Sequence, residues 1–337
     1  MTIQKHVVSR DPAIYEAWPD VVQTNGGKLI CIFSECVHHR DRTDARIALC
    51  ESTDRGCTWS EKRFLTEKGT KDRYYNCARI SGLRDGRLAI ICDHITGDET
   101  RQSALHLWLG DGEGKDWGDP IVLPFCGIVP DKLTELKNGR WLVGAHFRNR
   151  ETQKLEQYLW YSDNQGQTWS NRITVAADPR YNLCEVSFYE CDDGTLVAFM
   201  RENSFMGYDC MKALSYDHGE TWTGVYHCPI PGCHRPVVGR LRSGRLLLTY
   251  RFAQGGRGSQ NVAAALFSEA DAKKTERTEQ TVRIMPLDYD RNPTPDLGYT
   301  GWTQFDDGEI YVVNYIMDDA DRAQIRGYSF YESDFIL

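Results

Sequence analysis

Nowhere in the 337 residues is there an apolar run approaching the about 20 positions that a helix needs to cross a bilayer. A membrane partner is therefore not expected. Basic residues are in deficit: 40 Lys and Arg against 48 Asp and Glu leave a net charge of −8. Nucleic-acid binding needs a basic face to neutralise phosphates, so nucleic acid is not expected either. A local arginine cluster can still hold a small anion. Cys-x-x-Cys pairs and His-Glu-x-x-His are both missing, which leaves no signal for a metal, and no cofactor is expected. Long amphipathic helical patterns and linkers rich in Pro, Gly and Ser are also missing, so one domain over 1–337 fits better than two. The segment Met1–Arg10 has neither an apolar core nor a small-residue cleavage site, and the expected location is cytoplasmic. The twelve cysteines include several inside apolar runs, such as Leu29-Ile-Cys31-Ile-Phe. They read as buried, reduced thiols.

What the chain does have is repetition. A polar turn ending in Gly, followed by a short run rich in Leu, Ile and Val, occurs six times, with the turn glycines at 27, 86, 139, 194, 244 and 308. Asn-Gly and Asp-Gly between apolar runs signal hairpins, because the turn needs positive φ. A period of about 50–60 residues holding several short strands corresponds to one four-stranded propeller blade. The fold expected is all-β: a six-bladed β-propeller of four-stranded antiparallel blades. After Gly308 only two strands remain, so residues 2–8 are expected to complete the last blade and remove an open edge. The charged segment Asp271–Gln280 is expected to be a solvated excursion in blade 5.

A second repeat overlays the first. Ser52-Thr-Asp54-Arg-Gly56-Cys-Thr58-Trp59 recurs at Ser162–Trp169 and at Ser215–Trp222. The Asp or Asn side chain accepts turn N–H groups, Gly takes positive φ, and Trp packs between sheets. Asp111–Trp117 is a weaker copy. Chemistry is expected where first strands begin and second strands end. Charged and aromatic residues recur there: Trp18, Arg79, Glu185, Arg235 and Tyr299 on first strands, and His94, His146, Arg201 and Arg251 on second strands.

The triple motif is the Asp-box, and the whole chain resembles the sialidase-like (Asp-box, or BNR repeat) six-bladed propeller family. In that family a glutamate opens the fourth blade, an arginine follows about 15 residues on, and a tyrosine opens the last blade. Glu185, Arg201 and Gly298-Tyr299-Thr300-Gly301 resemble this arrangement. The resemblance implies Tyr299 as nucleophile, Glu185 as its general base, and an aspartic acid from the first-blade loop as general acid. Asp41 is the first choice for that acid and Asp44 the second. Arg201 and Arg235, with Arg251 and Arg79, would bind the substrate carboxylate through guanidinium forks. One departure is clear: the family's Arg-Ile-Pro reads Ala17-Trp18-Pro19 here, so the first arginine is missing.

The implied activity is exo-acting, retaining hydrolysis of an acidic terminal sugar from small oligosaccharides, with an acidic carbohydrate as partner. His38, His39, His94, His146 and His234 point to an alternative, a uronate-type lyase using His and Tyr for β-elimination. A second alternative is a non-catalytic sugar-binding propeller. The sequence leaves the sugar, its linkage and the oligomeric state open.

Overall fold

The computed structural model describes residues 3–97, 103–253 and 260–335. Six four-stranded antiparallel sheets make up an all-β, six-bladed propeller fold. The chain divides into two compact units, Met1–Pro130 with Tyr289–Ile336, and Asp131–Asp288. The first unit holds three blades. Blade 1 is Tyr15–Gln23, Leu29–Cys36, Arg46–Ser52 and Arg63–Phe64; blade 2 is Tyr74–Gly82, Leu88–Ile95, Ser103–Gly110 and Ile121–Cys126. Blade 6 is Leu297–Gln304, Glu309–Ile316 and Gln324–Tyr331, completed by Gln4–Ser9, which pairs antiparallel with Gln324–Tyr331. Thr2 lies outside the described residues.

The second unit holds blade 3 (Thr134–Glu135, Trp141–Arg148, Leu155–Ser162, Ile173–Ala176) and blade 4 (Leu183–Glu190, Leu196–Glu202, Asp209–Ser215, Tyr226–Pro231). It also holds blade 5 (Cys233–Arg240, Leu246–Phe252, Asn261–Phe267, Val282–Tyr289). Within each unit the core lies between faces of neighbouring blades. Ile30, Ile32 and Leu49 meet Ile80, Leu88 and Ile90, while Leu142 and Leu159 meet Val186, Phe188 and Leu196. Strands buried on both faces read as nearly continuous apolar runs, and for that reason the Leu, Ile and Val runs stood out in the sequence.

The first strands share one irregularity. Trp18, Cys77, Glu185 and Arg235 have φ between 49° and 58°, and Gly298 sits at 107°. The pairing register slips at each of these residues, which marks a β-bulge. Val129 (φ 48°) takes the same conformation ahead of blade 3. Two residues beyond this position a side chain can reach the next first strand. In the first unit Asp20 Oδ2 accepts from Ile80 N at 3.0 Å. In the second, Asp131 Oδ2 accepts from Phe188 N (3.1 Å), and Ser187 Oγ accepts from Val238 N (3.2 Å). Gly301 of blade 6 lies so close to Asp20 that an added Cβ would stand 2.1 Å from Oδ1, so only glycine permits that approach.

The Asp-boxes close the third-to-fourth strand turns of blades 1, 3 and 4. In blade 1 Asp54 Oδ1 accepts from Thr58 N (2.9 Å), Ser52 Oγ accepts from Gly56 N (2.8 Å), and Trp59 Nε1 donates to Gly56 O (3.1 Å). Asn164 and Asp217 take the same bonds from Thr168 N and Thr221 N, at 2.9 Å each. Asp111 accepts from Glu113 N and Lys115 N, a looser version of the turn.

Two expectations need correction. Asp271–Gln280 is a solvated excursion only in part: Glu276, Arg277, Thr278 and Glu279 are exposed, but Asp271, Ala272 and Gln280 are buried. Ser268 caps a short helix, Glu269–Lys273, by accepting from Asp271 N. The fully buried Lys212 ammonium donates to the carbonyls of Asp271 and Ala272 and to Gln280 Oε1. The acceptors are two backbone carbonyls and a neutral amide, while the charged side chains of the segment pair elsewhere, Lys273 with Asp193 and Arg277 with Asp209; burial pushes the Lys212 pKa down. The cysteines are not all buried: ten are, while Cys57 in an Asp-box turn and Cys126 at the end of an outer strand are exposed.

Asp20 and Arg79 are both buried, with Arg79 Nε 3.3 Å from Asp20 Oδ2. Removing one partner of such a pair strands the other charge. Asp20→Ala should therefore lower the free energy of unfolding by about 3–5 kcal/mol, read from urea denaturation of the full chain.

Candidate functional site

In the second unit the ends of neighbouring strands bring six of the anticipated residues together. Cys184 pairs with Arg201 across blade 4, and His234 pairs with Arg251 across blade 5. Arg201 Nη1 donates to both carboxylate oxygens of Glu185, at 2.9 and 3.0 Å, and its Nη2 donates to Asn203 Oδ1 at 2.5 Å. The backbone N–H of Glu185 donates to His146 Nδ1 at 3.4 Å, so the ring proton of neutral His146 lies on Nε2. His146, Glu185, Arg201, His234, Arg235 and Arg251 are all buried.

Their electrostatics are coupled. Burial pushes His146 down to about 4, with Arg235 and Arg201 acting the same way and Glu185 opposing. Burial, Arg201 and Arg251 push His234 down to about 2. Both histidines are thus neutral near pH 7. The group as a whole carries three guanidinia and one carboxylate. Glu185 and Arg235 occupy the left-handed bulge positions, each costing about 1–3 kcal/mol of backbone strain. The bulge turns their side chains out of the simple in–out alternation of a strand.

The first unit gathers a different set. Trp18, also at a bulge, packs with Tyr299 and Tyr315 in one buried cluster. The Arg42 guanidinium lies 3.6 Å above the Trp18 ring, a stacked cation–π contact. Arg42 also acts electrostatically on the buried Asp93 carboxyl, which burial raises to about 6 although Asn76 and the Val129 N–H oppose the rise. Tyr299 is buried, with its ring 6.4 Å from that of Tyr315. His94 stacks on Tyr75 at 4.5 Å and lies 4.9 Å from His106, in an aromatic group of blade 2. His38 lies on the exposed loop, its ring 5.4 Å from Tyr15.

Three anticipated residues stand elsewhere. Arg79 donates to the carbonyls of Pro19 (3.1 Å) and Thr300 (2.9 Å) and pairs with Asp20. It holds blades 6, 1 and 2 together and is nearly inaccessible. Asp41 is exposed, and its carboxylate accepts from Thr43 N at 3.0 Å. Those Thr43 hydrogen bonds hold its pKa below the usual value, whereas a general acid needs the opposite. Asp44 is exposed and pairs with Lys68 at 3.2 Å.

Sequence reasoning did not single out Arg42, Tyr15, His106 or Asp296. Arg42 stands in the first-blade loop beside the positions where the family arginine is absent, and that absence was the available signal. Nothing in the pattern marked Asp296, although it precedes Tyr299 by three residues.

A pH titration checks the second unit. An unfolded histidine protonates near about 6.5, whereas His146 in the fold resists protonation down to about 4. Below pH about 6.5 the unfolded chain binds the extra proton and the folded chain does not. Stability should therefore be insensitive to His146 above that pH and should fall as pH drops from about 6.5 toward about 4. Urea midpoints against pH should lose part of this slope in His146→Gln, and the His146 ring resonances should stay unshifted above pH 5.

The comparisons with known proteins agree with this architecture. A family model described as a BNR repeat-like domain matches residues 80–312. A sialidase of Clostridium perfringens is 24% identical over 218 residues, which cover 55% of this chain and 57% of that protein. The chain thus spans little more than half the length of that curated relative. A crystal structure of a protein of unknown function from Dyadobacter fermentans DSM 18053 superposes with a TM-score of 0.81 at 21% identity, covering 98% of each chain. The NanB sialidase of Streptococcus pneumoniae, solved with a chlorobenzylammonio ethanesulfonate, superposes with a TM-score of 0.71 at 13% identity, covering 98% of this chain and 70% of that one. Such structural likenesses speak to fold, and function has to come from the site. The family model spans well over half of the residues and reaches into blades 2 to 6, and the chain belongs to the BNR repeat-like family of sialidase-like six-bladed propellers.

Proposed function

We propose that the protein is an exo-acting glycoside hydrolase that releases an acidic terminal sugar from small oligosaccharides. The observation that carries this reading is the buried group of Arg201, Arg235 and Arg251 around Glu185, with two histidines held neutral beside them. Guanidinium forks suit a planar carboxylate, and in a buried setting their charge is poorly screened. The relative from Clostridium perfringens is itself a sialidase. Arg42, stacked on Trp18, would supply a guanidinium in place of the arginine replaced by Ala17.

In this reading Tyr299 is the nucleophile and Glu185 its general base. A neutral phenol approaches an anionic substrate without the repulsion that a carboxylate would meet. The tyrosine oxygen attacks the anomeric carbon, the leaving oxygen takes a proton, and water later releases the sugar with retention. Arg201 holds the Glu185 carboxylate through one guanidinium nitrogen, at 2.9 and 3.0 Å, and the general-base role requires that carboxylate to be free of its own proton.

A second reading, uronate β-elimination, draws on the same guanidinia with neutral His146 or His234 as base. Arginine beside a carboxylate acidifies the adjacent C–H, and a neutral imidazole can take that proton. The two readings part in a single experiment. The full chain is incubated with 4-methylumbelliferyl α-N-acetylneuraminide, 3′-sialyllactose and a uronate oligosaccharide panel. On 3′-sialyllactose and the uronate oligosaccharides, release of a reducing acidic sugar without new ultraviolet absorbance supports hydrolysis, as does release of 4-methylumbelliferone with a reducing acidic sugar from the aryl glycoside; an unsaturated, ultraviolet-absorbing sugar product supports elimination. Glu185→Gln and Tyr299→Phe should each lower kcat/KM by about 10²-fold or more. Unchanged turnover in both variants would sink the hydrolase assignment.

A further inference from the structure

The loop after the second strand of blade 1 brings His39 to the entry of the strand that carries Tyr299. There His39 Nδ1 lies 2.5 Å from Asp296 Oδ2. The same carboxylate accepts from the Tyr15 hydroxyl, and from the Tyr315 hydroxyl at 3.0 Å. Asp296 therefore acts as an acceptor, and the histidine proton it takes sits on Nδ1. That leaves Nε2 as the working nitrogen, an acceptor when the ring is neutral and a donor when it is charged. Nε2 makes no hydrogen bond among the described residues, and the His39 side chain is 38% exposed.

The pair is built rather than incidental. The Asp296 N–H donates to Asp290 Oδ2 at 3.1 Å. Asp290 also accepts from the N–H groups of Asn292, Met317 and Asp318, at 2.9, 3.2 and 2.8 Å. One carboxylate thus fixes the loop that presents the other. The His39 ring stands edge-on to Trp18 at 5.3 Å and close to Tyr15 at 6.2 Å. Trp18 packs on Tyr315, and Tyr315 on Tyr299, so aromatic contacts run unbroken from His39 to Tyr299. Asp41, two residues along the same loop, has no such support.

We propose that His39, oriented by Asp296, is the proton-transferring residue of the first unit, serving as general acid and then as general base toward the glycosidic oxygen of an acidic glycoside. The inference rests on the hydrolase reading above. Charged His39 gives its Nε2 proton to the leaving oxygen as the C–O bond breaks and its electron pair moves onto that oxygen. The carbon takes an electron pair from the incoming nucleophile. In the second half, neutral His39 takes a proton from water as that water's oxygen bonds to the carbon and the carbon–nucleophile bond breaks. Asp296 is the positioning residue.

The test compares leaving groups in the full chain. An aryl leaving group needs little protonation, whereas a sugar hydroxyl needs it fully. His39→Gln should lose about 10²–10⁴-fold in kcat/KM on 3′-sialyllactose and far less on 4-methylumbelliferyl α-N-acetylneuraminide. Equal losses on both, no loss on either, or the selective loss appearing in Asp41→Asn instead would overturn the role of His39 while leaving the hydrolase reading intact. Wild-type protein inert toward both substrates would overturn the hydrolase reading itself, and this role with it. A second readout needs no turnover. In 15N-labelled protein, neutral His39 should carry its proton on Nδ1, and Asp296→Asn should remove that preference with the circular dichroism spectrum unchanged. A wild-type Nε2–H tautomer would overturn the orientation.

Discussion

Much of the molecule depends on one backbone device, the residue in left-handed conformation near the start of each first strand. In five of six cases it is not glycine, so each costs about 1–3 kcal/mol. Two returns offset that cost. The bulge points Trp18, Glu185 and Arg235 differently from their strand neighbours. It also sets the residue two positions on, Asp20, Asp131 or Ser187, to accept a backbone N–H of the next first strand. Packing between blades and presentation of functional side chains are thus controlled at the same few residues. Blades that pack by apolar faces alone could slide against one another; a buried hydrogen bond fixes one register, because leaving it unmade costs the full desolvation of both groups.

Arginine takes two forms in this frame. Arg79 spends its donors on Asp20 and the carbonyls of Pro19 and Thr300, so its charge serves the packing of three blades. Arg201 bonds a carboxylate and an amide oxygen beside buried, neutral histidines. Both arginines are buried in strands, Arg79 within Tyr74–Gly82 and Arg201 near the end of Leu196–Glu202. Their difference comes from neighbours supplied by other strands, which is why residue type alone grouped them together. The same holds for carboxylates. The exposed Asp41 is held ionised by local Thr43 bonds, while Asp296 collects two tyrosine hydroxyls and a histidine from segments distant in sequence.

The polar turns of Asp-Gly and Asn-Gly type, the Asp-boxes and the alternation of short apolar runs determined the fold class on their own, since turn geometry and strand burial are local demands on residue type. The same signals located Glu185 and Arg201 at strand ends, because a hairpin of known turn position fixes which residues face one another across it. Tertiary structure decided the rest. It buried Lys212 under a helix formed by a segment that reads as solvated, it assigned Arg79 to packing, and it brought His39 to Asp296 across 257 residues of chain. A sequence records which groups are charged or aromatic; which of them meet, and how far water is excluded when they do, is set by strands that are neighbours only in space.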